Sequence, residues 1–414
     1  MASREATMRL STIRNLYSGG GPWASVYLDA TGTQVTGTPL EAHRGLDLRW
    51  RAARESLRRA GADEPTLRAI DAAVRETPTG GGRAEVAVLA SQGRVAFSHA
   101  LPVPPGREAA TWSDQPRAAD LVRAFGSSAK AGAGEYIRWV CADVDRTGGT
   151  VTANDGTTAT VRGEDEFITK VSTGGRARRW SMPRIQRAAE VNWGRNSSDL
   201  ARALIAAADR TGADVVVLAG DVRARQLVHD RLPRAIAERV VEVDHETAVR
   251  PHPDSAVRAR REPDVYDSVL VDATREAVAS VARERIAEAA DRFHSGLSHG
   301  RSVRGLGPVC TAAREQRIDT LVLSAEPSHR VAWVDPRNPT MVGESKRDTG
   351  TELAISEPAD DAVVGAAAIA GAQSIVIEAD PELVDGLGAI LRYPDENAPP
   401  YFHPGDHERP AGGP

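Results

Sequence analysis

Near the middle of the chain lies the stretch Ser172-Thr-Gly-Gly-Arg-Ala-Arg-Arg-Trp-Ser-Met-Pro-Arg-Ile-Gln-Arg187. We interpret the rest of the sequence relative to it. Gly174 and Gly175 open a basic run that contains no acidic residue. Its arginines are Arg176, Arg178, Arg179, Arg184 and Arg187. Glycine lets a backbone approach a partner closely, and arginine pairs bidentately with phosphate. The pattern predicts an exposed tip over 172–182 that contacts a phosphate-bearing partner; an ordinary solvated loop is the alternative.

The residues that follow this tip predict a helix that anchors it. Pro183 suits the first turn of a helix, because its missing N–H would have no partner there. Apolar residues then recur in a partial stripe, formed by Ile185, Ala188, Ala189, Val191 and Trp193. We therefore expect a glycine tip, an arginine-rich stalk and a helix in that order.

The composition restricts the class of protein. The chain has 414 residues, of which 41% are hydrophobic and 26% charged, and its formal net charge is −5. An acidic chain can contact nucleic acid only through local basic patches such as this one. The sequence contains no apolar run of about 20 residues and no signal-like start, so we expect a cytoplasmic protein without membrane contact. Cys141 and Cys310 lack a second Cys or His at ligand spacing, which favours buried thiols.

The remaining patterns predict an α/β protein of three consecutive domains. Residues 1–133 read as an α+β domain, with a strand at 24–29, helices at 41–59 and 65–75, and a hairpin over 85–99. Residues 134–250 read as a mixed-sheet α/β domain from which the Gly-Gly loop projects. Its central strand is the apolar run Asp214–Gly220, and Asp221 caps the next helix. Both predictions follow from the spacing of apolar residues.

The last part of the chain predicts a third domain and a tail. Residues 251–393 alternate strand and helix patterns, which is typical of an α/β/α sandwich. Within it we expect strands at 268–272 and 374–378 and a final helix at 381–391. A glycine-rich loop at 294–307 carries His299, Arg301 and Arg304, which are secondary candidates for phosphate binding, with a plain connector as the alternative. Residues 394–414 are rich in Pro, Gly and charge and predict a disordered tail.

Two other constellations suggest chemistry only weakly. Asp143 and Asp145 alternate on one strand and could hold a metal in a nuclease, but the sequence supplies no third carboxylate beside them. Ser25, Asp29 and His99 could form a triad, yet nothing indicates that they meet. We therefore assign no catalytic residue and no metal ligand, and expect no cofactor.

The chain resembles the archaeo-eukaryotic release-factor and Pelota superfamily, and within it the bacterial branch that includes the Balon-type ribosome hibernation factors. Three parts of the sequence carry the resemblance. They are Gly-Gly-Pro-Trp-Ala-Ser-Val-Tyr-Leu-Asp at 20–29, the segment from Gly174-Gly175 through Arg184-Ile-Gln-Arg187 to Asn192-Trp193, and Pro308-Val-Cys-Thr-Ala-Ala-Arg with Asp319-Thr-Leu-Val-Leu. The resemblance implies binding in the ribosomal A site, to rRNA and tRNA, in hibernation or rescue. It also implies an elongation-factor-like GTPase as a partner.

One residue departs from the release-factor pattern. Release factors carry Gly-Gly-Gln at the loop tip, where the glutamine helps to place the water that cleaves peptidyl-tRNA, and Arg176 stands in that position here. Arginine stays protonated and accepts no hydrogen bond. We therefore expect a non-catalytic ribosome-binding factor whose contacts come from Gly174, Gly175, Arg176, Arg178, Arg179, Trp180, Arg184 and Arg187. The alternatives are a peptidyl-tRNA hydrolase and a metal-dependent nuclease.

Overall fold

The computed structural model describes residues 8–30, 39–76, 85–101, 109–126, 137–145, 148–162, 178–243, 263–378 and 380–394. The chain divides into two compact units. The middle unit comprises Met1–Arg4 and Gly132–Ala282, and the terminal unit comprises Glu5–Ala131 and Arg283–Pro414. The predicted mixed α/β architecture is confirmed. The division into domains at 1–133, 134–250 and 251–393 stays a prediction, and 395–414 lies outside the described residues.

The secondary structure alternates between strands and helices. The strands are β1 (Met8–Arg9), β2 (Trp23–Asp29), β3 (Glu85–Ser91), β4 (Arg94–Leu101), β5 (Ala109–Ser113), β6 (Trp139–Val144), β7 (Gly148–Ala153), β8 (Thr158–Arg162), β9 (Val215–Gly220), β10 (Val240–Val243), β11 (Ser302–Arg304), β12 (Ile318–Ser324), β13 (Val331–Asp335), β14 (Asn338–Gly343), β15 (Ile355–Pro358), β16 (Gln373–Ile377) and β17 (Leu387–Leu391). The helices are α1 (Pro39–Arg59), α2 (Glu64–Glu76), α3 (Ala119–Gly126), α4 (Arg178–Thr211), α5 (Val222–His229), α6 (Arg234–Ala237), α7 (Pro263–Leu297), α8 (Leu306–Arg314) and α9 (Ala359–Ile369). Short 3-10 helices lie at Leu10–Tyr17, Lys346–Thr349 and Val384–Gly386.

The middle unit is built on one mixed sheet with the strand order β10-β9-β6-β7-β8. β6 pairs in parallel with β9, and β9 in parallel with β10, whereas β7 and β8 return antiparallel. Every residue of β9 is buried, because a central parallel strand is covered on both faces. Leu200, Leu204 and Ala208 of α4 pack into the core beside Val140 and Leu218.

The terminal unit combines both ends of the chain. Its first segment forms the antiparallel sheet β4-β3-β2-β5, against which Trp50 and Leu57 of α1 and Leu67 and Ile70 of α2 are buried. Its last segment forms the sheet β1-β16-β12-β17-β11 and the small sheet β14-β13-β15. β1 comes from the start of the chain and pairs with β16, with Met8 opposite Ser374. The first and last segments therefore share a sheet.

Ion pairs between arginines and buried carboxylates reinforce this junction between the two ends of the chain. Arg123 of α3 forms an ion pair with Asp360 of α9, and its Nε donates to the carbonyl of Ser324 at 3.0 Å. Arg117 lies 2.5 Å from a carboxylate oxygen of Glu357 and 3.4 Å from one of Asp361. Burying these carboxylates is tolerable because each has a cationic partner.

Burial still outweighs these charges at Asp361. Its Oδ1 accepts a hydrogen bond from the backbone N–H of Ala119 at 2.8 Å. Desolvation by burial nevertheless raises the pKa of Asp361 to about 7 and outweighs the lowering effects of Arg117 and of the Ala119 N–H. Desolvation also raises the pKa of Glu357 and that of Asp120. The junction therefore contains carboxyl groups that favour the protonated form more than they would in water.

Two predicted elements of the last segment are wrong. Residues 268–272 were expected to be a strand but lie inside α7, because a short apolar run cannot by itself distinguish a strand from a helix. Residues 381–391 were expected to be a helix, but 387–391 form β17, whose five residues are all buried. A Cβ at Gly388 would lie 2.6 Å from the ring of Phe293, so this strand passes directly beneath α7. Tertiary packing overrides the helical periodicity here.

Candidate nucleic-acid interface

The arginine-rich segment lies at the start of α4, the long helix of the middle unit. α4 has 34 residues and begins at Arg178, which makes it about 50 Å long. The exposed loop expected over 172–182 is therefore wrong for 178–182, which are helical. Residues 172–177 lie outside the described residues. Arginine is a good helix former, and the glycines end at 175, so the helix begins five residues before Pro183.

Pro183 consequently lies inside α4 rather than in its first turn. A proline at an interior position provides no N–H for the carbonyl four residues earlier and is costly in an isolated helix. The cost must be offset elsewhere along the helix. The second half of α4 supplies that stabilisation through buried Leu200 and Leu204, each of which contributes about 1.5–3 kcal/mol.

A close contact with the sheet fixes the second half of α4. A Cβ placed on Gly149 of β7 would lie 3.0 Å from Cδ2 of Leu200 and 2.4 Å from the carbonyl oxygen of Asp143. Only glycine leaves room for the helix at this point. The contact holds α4 on the β6–β7 hairpin and therefore sets where its arginine-rich start can reach.

The turn after β9 positions α5 beside α4. Gly220 has φ +109°, and a Cβ there would lie 2.0 Å from the carbonyl oxygen of Val144. The next residue, Asp221, donates its backbone N–H to that same carbonyl at 3.0 Å. The side chain of Asp221 accepts hydrogen bonds from Arg223 and Ala224 and caps α5 as the sequence predicts.

Polar side chains join α4 to α5. Nε of Arg231, just beyond α5, donates to Oγ of Ser198 at 3.1 Å, and its Nη1 donates to the carbonyl of Leu227. Ser198 in turn donates to the carbonyl of Gly194 at 2.8 Å. Beside this junction lies a small cavity lined by Asp145, Ser197, Leu200, Arg223, Ala224, Leu227 and Val228. Arg231 is thus held at an exposed position against α4.

The structure describes the primary candidate residues only in part. Gly174, Gly175 and Arg176 lie outside the described residues. Arg178, Arg179, Trp180, Arg184 and Arg187 are on α4, but their side chains lie outside the described part. Their role in ribosome and tRNA binding stays a prediction. Sequence reasoning overlooked Arg195, Arg202 and Arg231, which are all exposed on α4 or beside it.

The secondary candidates are in the terminal unit. His299 is exposed, and its Nδ1 lies 2.8 Å from the carbonyl oxygen of Ser295. Arg301 is exposed, and its backbone N–H donates to the carbonyl of Gly296 at 2.8 Å. Arg304 forms an ion pair with Glu382, which offsets its charge. Phosphate binding by this group stays a prediction.

The residues of the two weaker constellations have structural contacts. Asp143 is buried, and a carboxylate oxygen of Asp145 accepts a hydrogen bond from the backbone N–H of Gly148 at 2.8 Å. The described residues include no group of three His, Cys, Asp or Glu side chains that could hold a metal ion. Ser25 is buried, and its Oγ accepts the backbone N–H of Arg117 at 3.0 Å.

Among the described residues, no helix combines the length and apolar character needed to cross a bilayer.

Both cysteines are buried. Desolvation raises the pKa of Cys141 to about 11 and that of Cys310 to about 12. Oγ1 of Thr274 on α7 donates to Sγ of Cys141 at 3.4 Å within the middle unit. Both thiols are therefore protonated at neutral pH and are poor nucleophiles.

The middle part of the chain matches a known protein family. Residues 138–299 match the sequence model of bacterial archaeo-eukaryotic release factor family 2. This range includes β6, the Gly174–Gly175 segment and all of α4. The match supports a release-factor-like family for this part of the chain.

The chain is also similar to whole proteins. It is 27% identical over 404 residues to the uncharacterized proteins Rv2629 and MT2704 from two strains of Mycobacterium tuberculosis, covering 94% of this chain and 98% of each relative. Among solved structures, the archaeal termination factor aRF1 is 15% identical, covers 92% of this chain and 96% of its own, and has a TM-score of 0.22. Ribosome-bound archaeal Pelota is 12% identical, covers 93% of each chain, and has a TM-score of 0.35. Dom34 of S. cerevisiae is 12% identical, covers 76% of this chain and 81% of its own, and has a TM-score of 0.33.

Proposed function

We propose that this protein is a translation factor that binds the ribosome and does not release peptide. It presents the glycine–arginine segment at the start of α4 to RNA in the A site. One observation carries the proposal: the release-factor family model matches 138–299, the range that contains Gly174, Gly175 and the arginine-rich start of α4. Arginine forks fit phosphate geometry, so this segment suits contact with folded RNA.

The residue after the glycines argues for binding rather than hydrolysis. Hydrolysis of an ester needs a group that orients water and a group that stabilises the developing oxyanion. The guanidinium of Arg176 could serve the second need, but it has no lone pair for the first. The factor therefore occupies the site without performing release, in hibernation or in rescue. The family resemblance adds an elongation-factor-like GTPase as the protein that delivers it.

Sedimentation with ribosomes tests this proposal. The wild-type chain should pellet with 70S ribosomes, and the double variant Arg178→Glu/Arg179→Glu should lose most of this binding. The control is Arg59→Glu/Arg75→Glu, which makes the same change in net charge at exposed positions of the terminal unit. The control should bind like the wild type.

The possible outcomes separate the alternatives. Equal loss in both double variants would mean that net charge, not the α4 segment, governs binding, and would contradict the proposed interface. A wild type that does not pellet with ribosomes would contradict the function itself. A wild type that pellets and also releases peptide would favour the hydrolase.

A further inference from the structure

We propose that RNA contact continues beyond the glycine–arginine segment along a second surface, the arginine ridge, formed by Arg195, Arg202 and Arg231. The partner is the phosphate backbone of folded RNA, bound without readout of bases. This proposal rests on the proposed function in one respect only: the RNA is taken to be that of the ribosome. The ridge itself is argued from described side chains.

The helical register aligns the arginines of α4. Arg195 and Arg202 are seven residues apart and both exposed. Seven residues are close to two whole turns, so these two positions share one face of the helix. Leu200 and Leu204 are buried and therefore mark the opposite, sheet-facing side.

Arg231 widens this face into a ridge. Its hydrogen bond to Ser198, one turn from both Arg195 and Arg202, holds the guanidinium beside their row. Because its position is fixed by Ser198 and by the Leu227 carbonyl, Arg231 loses little side-chain freedom when it binds a phosphate. The three guanidinium groups lie within about two turns of helix, or roughly 10 Å along its axis.

The charges around the ridge leave it basic. Arg202 forms an ion pair with Asp199, but their side chains are 78% and 48% exposed, and pairs in such solvent-exposed positions are weak. A phosphate can therefore replace that partner at low cost. From 176 to 202 the sequence has seven arginines and two acids, Glu190 and Asp199, within a chain whose net charge is −5. The positive charge is thus concentrated along α4.

The chemistry of the exposed face favours RNA backbone over other partners. Among the described residues of α4 from 194 to 211, no aromatic side chain is present to stack on a base. Guanidinium and hydroxyl groups are the usual partners of phosphate and sugar, which carry no sequence information. The ridge therefore adds affinity and orientation to the contact made by the start of α4.

The salt dependence of RNA affinity tests the ridge. The probe is a 16-base-pair RNA duplex, followed by fluorescence anisotropy between 50 and 300 mM KCl, together with 70S ribosomes in sedimentation. Each lost phosphate contact reduces the log–log salt slope by about 0.7–0.9. The variant Arg195→Gln/Arg202→Gln should reduce the slope by about 1.5 and weaken binding at least tenfold at low salt. The matched variant Arg195→Lys/Arg202→Lys keeps the charge and should retain most of the slope.

The outcomes distinguish the ridge from the proposed function. An unchanged slope in the Gln variant, with circular dichroism like that of the wild type, would overturn the ridge while leaving ribosome binding by the start of α4 intact. A wild type that binds the duplex but not ribosomes, with the duplex lost in the Gln variant, would support the ridge and contradict the proposed function. Loss of ribosome binding without any change in duplex binding would point to an acidic protein partner and overturn the RNA assignment.

Discussion

At the scale of the residue, the proposed distinction between RNA binding and hydrolysis depends on the side chain after Gly175. Sequence alone makes this distinction, because a guanidinium cannot accept a hydrogen bond whatever its surroundings. The buried junction in the terminal unit is the opposite case. Arg117 and Asp361 are 244 residues apart in the sequence and look like ordinary surface charges there, and only the fold brings them together.

Peptide release by the loop tip is the first prediction at this scale. The wild-type protein should not release peptide from ribosome-bound peptidyl-tRNA above background, because Arg176 cannot orient the attacking water. Measurement of labelled peptide released over time checks this, with Arg176→Gln as the variant that restores the glutamine of release factors. An active wild type that Arg176→Ala inactivates would show that the arginine is an electrophilic catalyst.

Asp361 gives a prediction about pH. Its pKa in the folded protein, about 7, is above the value of about 3.9 for an unfolded chain. The folded state therefore binds the extra proton between these values. This proton's contribution to the free energy of unfolding is fully present below about pH 4 and is lost as the pH rises through 7. The side chain in Asp361→Asn needs no proton, so the stability of this variant does not depend on the titration. The urea midpoint of the variant minus that of the wild type should therefore increase from pH 5 to pH 8.

A carboxylate with the opposite shift serves as the control for Asp361. Hydrogen bonds from the backbone and side chain of Ser345 lower the pKa of Asp348. Both the folded and the unfolded form are then ionised above pH 5, so Asp348→Asn should change the midpoint by a constant amount between pH 5 and pH 8. The same constant offset in Asp361→Asn would show that Asp361 titrates normally.

At the scale of the element, the sequence correctly predicts those helices and strands that depend on local residue patterns. The capped start of α5 at Asp221 and the central strand β9 follow from a capping residue and a continuous apolar run. The strand at 387–391 is missed because its burial between β12 and β11 depends on the rest of the sheet. The start of α4 is misplaced because Pro183 signals a first turn, whereas the structure holds it inside the helix.

The tight turn between β9 and α5 gives a prediction at this scale. Gly220→Ala should destabilise the middle unit by more than about 2 kcal/mol, since the added Cβ would lie 2.0 Å from the carbonyl oxygen of Val144. The measurement is urea unfolding followed by circular dichroism.

Gly156→Ala is the matched control for this turn. Gly156 also has a positive φ, +80°, but apart from its own chain neighbours no atom of the described residues lies within 4 Å of its added Cβ. Gly156→Ala should lower the free energy of unfolding only by the cost of the left-handed backbone conformation, about 1–2 kcal/mol. An equal loss in the free energy of unfolding in the two variants would mean that the backbone at Gly220 shifts to accommodate the methyl group. The turn would then not fix α5 against α4.

At the scale of the whole molecule, charge is distributed unevenly. The chain carries a net charge of −5, yet its middle helix carries a run of arginines. A uniformly acidic surface would repel RNA, so the proposed RNA binding needs a local basic patch such as the arginine-rich start of α4. The composition excludes a polycation, but only the fold shows which arginines are exposed and which, like Arg225, are buried.

This distribution predicts strong dependence of ribosome affinity on salt. Each phosphate neutralised adds close to one to the negative log–log slope, so several arginine contacts should produce a slope of about −3 to −6. Sedimentation with ribosomes from 50 to 300 mM KCl measures it. A flat curve would indicate an interface that is not led by arginine.

Electron cryomicroscopy of ribosomes incubated with the purified chain shows directly whether the middle unit binds in the A site. We expect density for the middle unit in the A site, with 172–187 against rRNA and the peptidyl-tRNA ester intact. Density that places the middle unit elsewhere on the ribosome, or an A site that stays empty at saturating protein, would contradict it.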